Sequence, residues 1–363
     1  MESRENNQLD QIKYQFPRYL GIYSSKKIRN SLRLEFGFSK RLKKSVTLDQ
    51  DCLSLLKYCF SPRTSFEIAR KFKLSQSETA KFICMLVKKG LLTTQIENVT
   101  PDEYKRYDRH LLYYQTLGKN SIKVQKKISK SKVALIGMGG IGNWVSLNLI
   151  GAGLAEIKLI DFDLIEISNL TRQVLFDEKS VGLKKAKEAQ KILSTKNSST
   201  KITTVDLKVK NAENLKSHLS GFDMIVLSAD KPQYIHDWVD EICLELNISY
   251  INLGYRDGEG VIGPLTVPGI TGCYQCFKPK KKYLNKHIDQ NLYLEFDNRY
   301  QAPSFGPINS LVSSIGAMEI LKYLGEFAKP LSLGVELSID PVGTQIHKHI
   351  FPRDKRCWHC KNK

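Results

Sequence analysis

A glycine-rich turn between an apolar strand and an apolar helix constrains the fold of this chain more than any other feature. Residues 133–136 are an apolar run typical of a buried strand, and Gly137, Gly139 and Gly142 follow at the spacing G-x-G-x-x-G. Glycines let a phosphate approach the backbone closely, and the first N–H groups of the next helix lack intrahelical partners. The stretch therefore predicts a nucleotide-binding turn, with NAD or FAD as the default ligand.

Strand-like and helical segments alternate after this turn. The runs KVALIG, EIKLIDFD, TTVDLKV and MIVLSAD are strand-like, and helical segments such as residues 184–193 separate them. Because such alternation produces parallel strands with helical crossovers, we expect an α/β fold with a Rossmann-like, doubly wound, mainly parallel sheet.

The first part of the chain has a different pattern. SLRLEFGFS predicts a strand, and three short amphipathic helices follow it. Thr64 and Ser75 are placed as N-caps of the second and third helices, with Glu67 and Glu78 completing capping boxes. This arrangement is typical of a winged-helix-like domain.

The length of 363 residues favours more than one domain. We expect a winged-helix-like domain at 1–98, a linker and arm at 99–131, and the nucleotide-binding domain at 132–363. No stretch is apolar enough to span a bilayer, and the polar start is unlike a signal peptide, so a cytoplasmic protein without membrane contact is expected.

The basic character of the chain leaves two kinds of partner open. The net charge is +19, and the third predicted helix carries Lys81, Lys88 and Lys89 as a candidate DNA-recognition face. The same lysines suit the solvated face of a module that docks peptides or proteins, and the lysines elsewhere are dispersed. Nucleic acid is therefore the less favoured partner.

Charged residues after the glycine turn argue against a dehydrogenase. Asp161 ends the second strand, where an acidic residue can bind a ribose hydroxyl, and Arg172 and Lys185 follow within a short distance. Two cations beside a phosphate-binding turn suit a triphosphate. Asp230 follows the strand MIVLSAD, where a carboxylate can hold Mg²⁺, although an N-cap role for a helix near Pro232 is an alternative.

Two C-x-x-C pairs lie near the end of the chain. Cys273 and Cys276 form the first cysteine pair, and Cys357 and Cys360 form the second. Four thiolates at this spacing are the usual ligands of tetrahedral, structural Zn²⁺. The stretch 277–303 between the pairs is predicted to be a mobile loop, and its role is left open, with covering the substrate as one option. The remaining cysteines have apolar neighbours and are expected in cores: Cys52, Cys59, Cys84 and Cys243.

Taken together, GMGGIGNW, DFDLIEISNLTRQ, VGLKKAK, LSAD and the two cysteine pairs resemble the ThiF/MoeB superfamily, the adenylating proteins related to ubiquitin-activating enzymes. The resemblance covers residues 104–363. SNLTRQVLF, GCYQC, FGPIN and AKPLSLG, joined to a winged-helix-like domain, further resemble the peptide-modifying members of the microcin C and pantocin type.

The resemblance implies ATP rather than NAD, and it implies a role for each residue. Asp161 would bind the ribose, Asp230 would organise Mg²⁺, and Arg109 would enter the site of a second subunit as a finger, which requires a homodimer. Arg172 and Lys185 would stabilise the departing pyrophosphate. The other residues implied in ATP binding are Gly137, Gly139, Gly140, Gly142, Asp163, Asn169 and Gln173.

The implied reaction is adenylylation of a carboxylate in a ribosomally made precursor peptide, bound by the N-terminal domain. The peptide would then capture the acyl adenylate, either by glutamate activation and cyclisation, as in pantocin, or by C-terminal asparagine modification with AMP, as in microcin C. Activation of a ubiquitin-fold sulfur carrier is the enzymatic alternative, and a DNA-binding nucleotide sensor is the alternative from another functional class.

Overall fold

A computed structural model describes residues 12–37, 39–94, 102–276, 278 and 303–361. The chain forms two compact units, residues 1–125 and 126–363. The division falls within the stretch 99–131 that was expected to be a linker and arm. Nearly all of the predicted loop at 277–303 lies outside the described residues.

The N-terminal unit combines a three-stranded antiparallel sheet with short helices, and the sheet order is β2-β3-β4. Strands β1 and β5 form a separate antiparallel pair. The strands are β1 Lys13–Tyr14, β2 Ile22–Ile28, β3 Ser31–Phe36, β4 Lys44–Asp49 and β5 Arg63–Thr64. The helices are α1 Gln50–Tyr58, α2 Ser65–Phe72, α3 Gln76–Lys88, α4 Asp108–Thr116 and α5 Ser121–Ile128, and α5 spans the division between the units.

The predicted caps of this unit are confirmed. The Thr64 hydroxyl accepts from the Glu67 N–H at 3.1 Å, and the Glu67 carboxylate accepts from the Thr64 N–H at 2.7 Å. Ser75 and Glu78 form the same reciprocal pair at the start of α3. Each box satisfies N–H groups that have no partner within the helix, which fixes where the helix begins.

The unit's core contains two of the cysteines that were expected there. Cys52 and Cys59 are buried in an apolar cluster with Leu55 and Leu86, and burial raises the pKa of each thiol to about 12. Cys84 is exposed, so its predicted core position is wrong. The helical period places residue 84 one position beyond the buried Ile83 and so turns its side chain outward.

The C-terminal unit is built around an eight-stranded sheet in the order β13-β12-β11-β10-β9-β6-β7-β8. The five strands from β10 to β8 are parallel, and β11, β12 and β13 add antiparallel strands at one edge. The expected mainly parallel α/β sheet is therefore confirmed. Its strands are β6 Lys132–Ile136, β7 Glu156–Ile160, β8 Lys201–Val205, β9 Met224–Leu227, β10 Ser249–Arg256, β11 Glu259–Thr266, β12 Val335–Asp340 and β13 Gln345–Ile350.

The strand order places a ligand site at the centre of the sheet. The chain proceeds from β6 outward to β7 and β8, then returns to β9 on the other side of β6. Such a reversal opens a crevice at the carboxyl ends of the two central strands, and ligands of open α/β sheets bind there. The helices are α6 Gly140–Ala152, α7 Lys185–Lys196, α8 Ala212–Lys216, α9 Ile235–Leu246 and α10 Gly306–Gly325.

Among the described residues, the longest apolar helices fall short of what a bilayer crossing requires.

Candidate active site

The glycine turn lies between the end of β6 and the start of α6, packed closely against β9. Gly137 has a φ of +97°, and a Cβ there would lie 2.9 Å from the Ala229 nitrogen. A Cβ on Gly142 would overlap the Gly137 carbonyl oxygen, whereas a Cβ on Gly139 would have no neighbour within 4 Å. The turn thus needs glycine at two positions for packing, and the third leaves space in front of the helix N-terminus.

Asp161, at the end of β7, braces this turn. Its carboxylate accepts from the Met138 N–H at 2.6 Å and from the Asp163 N–H at 2.8 Å. Burial raises the pKa of Asp161, while the two backbone hydrogen bonds act in the opposite direction. A carboxylate oxygen accepts more than one hydrogen bond, so these contacts leave acceptor capacity for a ribose hydroxyl.

The loop after β7 carries the predicted phosphate-binding residues. Asn169 is buried, and its Oδ1 accepts from the Glu166 N–H at 3.1 Å. The Arg172 guanidinium donates to the Ser168 carbonyl at 2.7 Å, so it is anchored on the same loop. These contacts make the loop a rigid support for the cation.

Lys185, at the start of α7, forms an ion pair within the site. Its Nζ lies 2.9 Å from Asp163 Oδ2, and its side chain is only 10% exposed. An ammonium group has three donors, so the pair with Asp163 orients Lys185 and leaves donors for another anion. Asp163 therefore holds the Lys185 ammonium in position, in addition to any direct role in nucleotide binding.

Asn143, an amide to which sequence reasoning assigned no role, joins the glycine turn to this loop. It lies on α6 and is fully buried; its Nδ2 donates to the Met138 carbonyl at 2.8 Å and to the Gly139 carbonyl at 3.0 Å. Its Oδ1 accepts from the Leu175 N–H at 3.1 Å. Asn143 occurs in the GMGGIGNW stretch, but its contacts become evident only in the folded chain.

A second buried amide packs closely against the start of α6. Asn309 lies on α10 and donates to Ser304 Oγ at 3.0 Å. A Cβ on Gly140 would lie 2.5 Å from Asn309 Nδ2, so glycine is needed for this close approach. The FGPIN stretch that supplied part of the resemblance contains this asparagine.

These elements surround a cavity of about 470 Å³ in the C-terminal unit. It brings together seven of the predicted residues, namely Gly139, Gly140, Asn169, Arg172, Gln173, Lys185 and Asp230. Gly137, Gly142, Asp161 and Asp163 support its wall from behind, through the packing and hydrogen bonds described above. The cavity therefore joins an anion-binding helix terminus to two cations and a carboxylate.

Asp230 follows β9 and is exposed at the cavity. Helix α9 begins at Ile235 with Tyr234 as its N-cap residue, so the alternative N-cap role for Asp230 is wrong. The chain continues for several residues beyond Asp230 before turning into the helix. The carboxylate offers oxygen ligands of the kind that Mg²⁺ prefers.

The part of the cavity lining contributed from the β10 side of the sheet was not predicted from the sequence. It contains Arg256 at the end of β10 and Glu336 on β12, whose side chains form a hydrogen-bonded ion pair at 3.2 Å. His236 and Tyr274 also line it, with stacked rings 5.5 Å apart. These residues come from distant segments, so only the strand order brings them together.

The four predicted metal ligands lie together. Their sulfur atoms lie within 4.8 Å of one another, with Cys273 to Cys357 at 3.8 Å and Cys276 to Cys360 at 3.5 Å. A tetrahedral site with a Zn–S distance of about 2.3 Å requires sulfur–sulfur separations of about 3.8 Å. The cluster thus fits Zn²⁺ in its donor type and its spacing.

Arg109 lies on α4 of the N-terminal unit, where its side chain is exposed. Its predicted role as a finger toward a second subunit stays a prediction.

Comparisons with known proteins identify the family of the chain. The ThiF family model matches residues 107–359. Curated relatives include the "Adenylyltransferase and sulfurtransferase UBA4" of Debaryomyces hansenii, 37% identical over 186 residues, which are 51% of this chain and 40% of the relative. The protein of the same name from Saccharomyces cerevisiae is 29% identical over 61% of this chain and 48% of its own length. The chain thus spans about half the length of these curated relatives.

Solved structures match over nearly the whole chain. E. coli MccB with ATP is 30% identical, with a TM-score of 0.77, and the match covers 96% of this chain and 99% of MccB. MccB in complex with N-formylated MccA is 29% identical, with a TM-score of 0.76 and the same coverage. PaaA, at 18% identity and a TM-score of 0.73 over 93% of this chain and 99% of PaaA, shares the fold. The chain therefore belongs to the ThiF family.

Proposed function

We propose that this chain uses Mg-ATP to adenylylate a carboxylate in a ribosomally made precursor peptide, which then captures the acyl adenylate within itself. The observation that carries the proposal is the cavity that unites the glycine turn with Arg172, Lys185 and Asp230. A site that only senses a nucleotide has no need for groups that stabilise a departing pyrophosphate, whereas an adenylating site does.

The chemistry starts from a poor electrophile. An oxygen of the peptide carboxylate attacks the α-phosphorus of ATP, the bond from this phosphorus to the bridging oxygen breaks, and pyrophosphate leaves with the bond's electrons. Arg172 and Lys185 offset the charge that develops on the leaving group. Asp230 would hold Mg²⁺, which neutralises phosphate charge when bound.

The rest of the nucleotide would be held by the turn and its support. Gly139, Gly140 and Ile141 at the start of α6 line the cavity, and the N–H groups of a helix N-terminus suit phosphate oxygens. Asn169 and Gln173 supply amides beside them, and Asp161 would accept from the ribose. Gln173 is 2% exposed and its Oε1 has no hydrogen-bond partner among the described residues, so it offers an unused acceptor to a ligand.

Two features of the N-terminal unit favour a peptide as the substrate. The MccB matches cover 96% of this chain and so extend through this unit, and MccB was solved in complex with N-formylated MccA. Strand β2 at the edge of the sheet is exposed along its whole length, and the described residues pair it with β3 on one side alone. An open edge strand is the surface to which an extended peptide adds as a further strand.

Two internal captures of the acyl adenylate are consistent with such a site. In the first, glutamate side chains are activated and the peptide cyclises, with AMP released. In the second, the C-terminal asparagine is modified and ends with AMP attached. A net charge of +19 slightly favours an acidic peptide and therefore glutamate activation.

A homodimer forms part of the proposal. The loop that carries Asn169 and Arg172 also exposes a group of large apolar side chains, and patches of this kind mark protein interfaces. A second copy of the chain would cover them and bring its Arg109 to the site. The exposed residues are Phe162, Leu164, Ile167, Val174, Val181 and Leu183.

The second candidate function is activation of a ubiquitin-fold sulfur carrier. The observation in its favour is the set of UBA4 relatives, whose names include a sulfurtransferase activity. The UBA4 of Debaryomyces hansenii matches 51% of this chain, and a carrier would not require the N-terminal unit. A carrier protein that stimulates pyrophosphate exchange would favour this alternative.

Mass spectrometry tests the proposal. The enzyme is incubated with Mg-ATP and the synthetic peptide encoded beside its gene. Lys185→Ala and Asp230→Ala should abolish the product, whereas Lys191→Ala, at an exposed position on the same helix as Lys185, should not.

The mass of the product distinguishes the two outcomes. A gain of one AMP unit indicates the microcin type, and loss of water with released AMP indicates cyclisation. An unchanged peptide, together with pyrophosphate exchange driven by a ubiquitin-fold protein, would reject the peptide substrate in favour of the carrier.

A further inference from the structure

The first cysteine pair encloses a residue of the cavity wall. Tyr274 directly follows Cys273, and it lines the cavity together with His236. The two rings are stacked, with centroids 5.5 Å apart and planes inclined by 19°. The segment that carries Cys273 and Cys276 thus contributes an aromatic surface to the site.

Helix α9 holds this segment by several contacts from one face. The His236 ring packs on Tyr274, Asp237 Oδ1 accepts from the Gln275 amide at 2.7 Å, and Asp240 Oδ1 accepts from the Tyr274 N–H at 3.0 Å. Positions three and four apart lie on the same side of a helix, so these contacts act together. They fix both the backbone and the ring of Tyr274.

Asp240 connects the two cysteine segments. It is fully buried, and its Oδ2 lies 3.0 Å from Nδ1 of His359, which stands between Cys357 and Cys360. The Tyr250 hydroxyl donates to its other oxygen at 2.6 Å. A buried carboxylate is stable only while its hydrogen bonds persist, so the positions of the segments around it are interdependent.

The elements that carry the two rings indicate which of the two substrates the ring pair contacts. In phosphoryl transfer, the attacking and leaving oxygens lie roughly in line on opposite sides of phosphorus. The glycine turn, Arg172 and Lys185 suit the leaving pyrophosphate. Tyr274 and His236 come from other elements, α9 and the first cysteine pair, and form a wall without a phosphate-binding turn.

We propose that the two cysteine segments, held together by the metal, position the side of the cavity that binds the peptide. There the Tyr274–His236 ring pair contacts the peptide beside the carboxylate to be activated. Asp240 is the positioning residue that links the metal site to this wall. The inference rests on the proposed function, because it takes the molecule that accepts the adenylyl group to be a peptide. Stacked aromatic rings present an apolar face and a hydroxyl, which suits a peptide side chain or backbone amide.

Kinetics of pyrophosphate exchange with the peptide encoded beside the gene test the inference. Tyr274→Ala should raise the KM for the peptide about tenfold, as expected for loss of an aromatic contact, and leave the ATP affinity and the zinc content unchanged. Tyr274→Phe should restore the KM to within about twofold of wild type, because the ring is retained. Ile270→Ala is the control, since Ile270 lies three residues before Cys273 and is 70% exposed.

The Asp240→Asn variant tests the link to the metal site. Loss of the charge beside His359 should weaken Zn²⁺ binding about 10-fold to 100-fold, as for other residues that orient metal ligands, and should raise the peptide KM in parallel. Metal content is measured directly by elemental analysis after dialysis against a chelator. Tyr274→Ala stays informative if the Asp240 variant does not fold.

The outcomes separate the inference from the proposed function. If the wild-type enzyme is active on the peptide but Tyr274→Ala behaves like Ile270→Ala, the inference is wrong and the proposed function stands. If Tyr274→Ala weakens ATP binding instead of peptide binding, the ring pair faces the nucleotide and the inference is again wrong. If the wild-type enzyme does not act on the peptide at all, both fail.

Discussion

The glycine turn permits a paired prediction in which one substitution reduces stability and the other reduces nucleotide binding. A Cβ on Gly142 would overlap the Gly137 carbonyl oxygen, and it would also lie 3.2 Å from Ser228 Oγ. That carbonyl accepts from the Ser228 hydroxyl at 2.8 Å, so Gly142→Ala forces a backbone shift in the turn. A Cβ on Gly139 has no neighbour within 4 Å, and this residue lines the cavity.

The magnitudes follow from these geometries. Overpacking of this kind costs about 1–3 kcal/mol, so Gly142→Ala should lower the free energy of unfolding by about 2 kcal/mol. For a unit of 150–250 residues, about 2 kcal/mol lowers the melting temperature by about 4–8 °C. Gly139 has an ordinary φ of −73° at the N-cap of α6, where alanine costs only about 0.5 kcal/mol relative to glycine.

Two measurements separate the effects. Thermal unfolding is followed in the absence of nucleotide, because bound ATP would mask a loss of stability. ATP affinity is measured separately, by calorimetric titration. Gly142→Ala should melt several degrees lower than wild type. Gly139→Ala should melt within about 2 °C of wild type and bind ATP at least about tenfold more weakly, since its methyl group occupies space next to the helix N-terminus. Unchanged ATP affinity in Gly139→Ala would refute the assignment of the turn as the phosphate site.

Three other predictions concern charge, metal and pH. Lys185→Met should lower kcat for pyrophosphate exchange by about 100-fold or more, as for loss of one electrostatic stabiliser, while Asp163→Asn should have a smaller effect because the ammonium remains. Equal losses in the two variants would contradict this order. Removal of metal with a chelator should lower the melting temperature of the full chain, as seen by calorimetry, and added Zn²⁺ should restore it. Thr64→Ala should destabilise the N-terminal unit by about 1 kcal/mol. The capping hydrogen bonds hold the pKa of Glu67 below its usual value, so the stability from this cap is present above the unfolded pKa and lost as the pH falls through the folded one.

Much of the fold was predictable because its determinants are local. The capping boxes at Thr64 and Ser75 depend on residues three positions apart, and the glycine turn depends on consecutive residues. The clustering of Arg172, Lys185 and Asp230 followed from a rule about carboxyl ends of parallel strands, which needs only the order of elements.

The part of the cavity lining contributed from the β10 side of the sheet could not be predicted in this way. The pair Arg256 and Glu336 depends on β12 lying next to β11 and on the register of two antiparallel ladders. These pairings join segments separated by a long stretch of chain, and neither residue stands in a distinctive local pattern. The error at Cys84 has a simpler cause, because a helix of mixed polarity does not mark its buried face sharply.

The buried amides show why a list of predicted site residues leaves the construction of the site unexplained. Asn143 donates to two carbonyls of the glycine turn and accepts from the Leu175 N–H, so one neutral side chain fixes the turn relative to the loop that carries Arg172. A shift of either partner would leave buried polar groups unpaired, which costs about 1–3 kcal/mol for each group. The helix N-terminus and Arg172 therefore hold their relative positions before any ligand arrives, and in the proposed reaction such preorganised groups would stabilise the leaving pyrophosphate without reorganising.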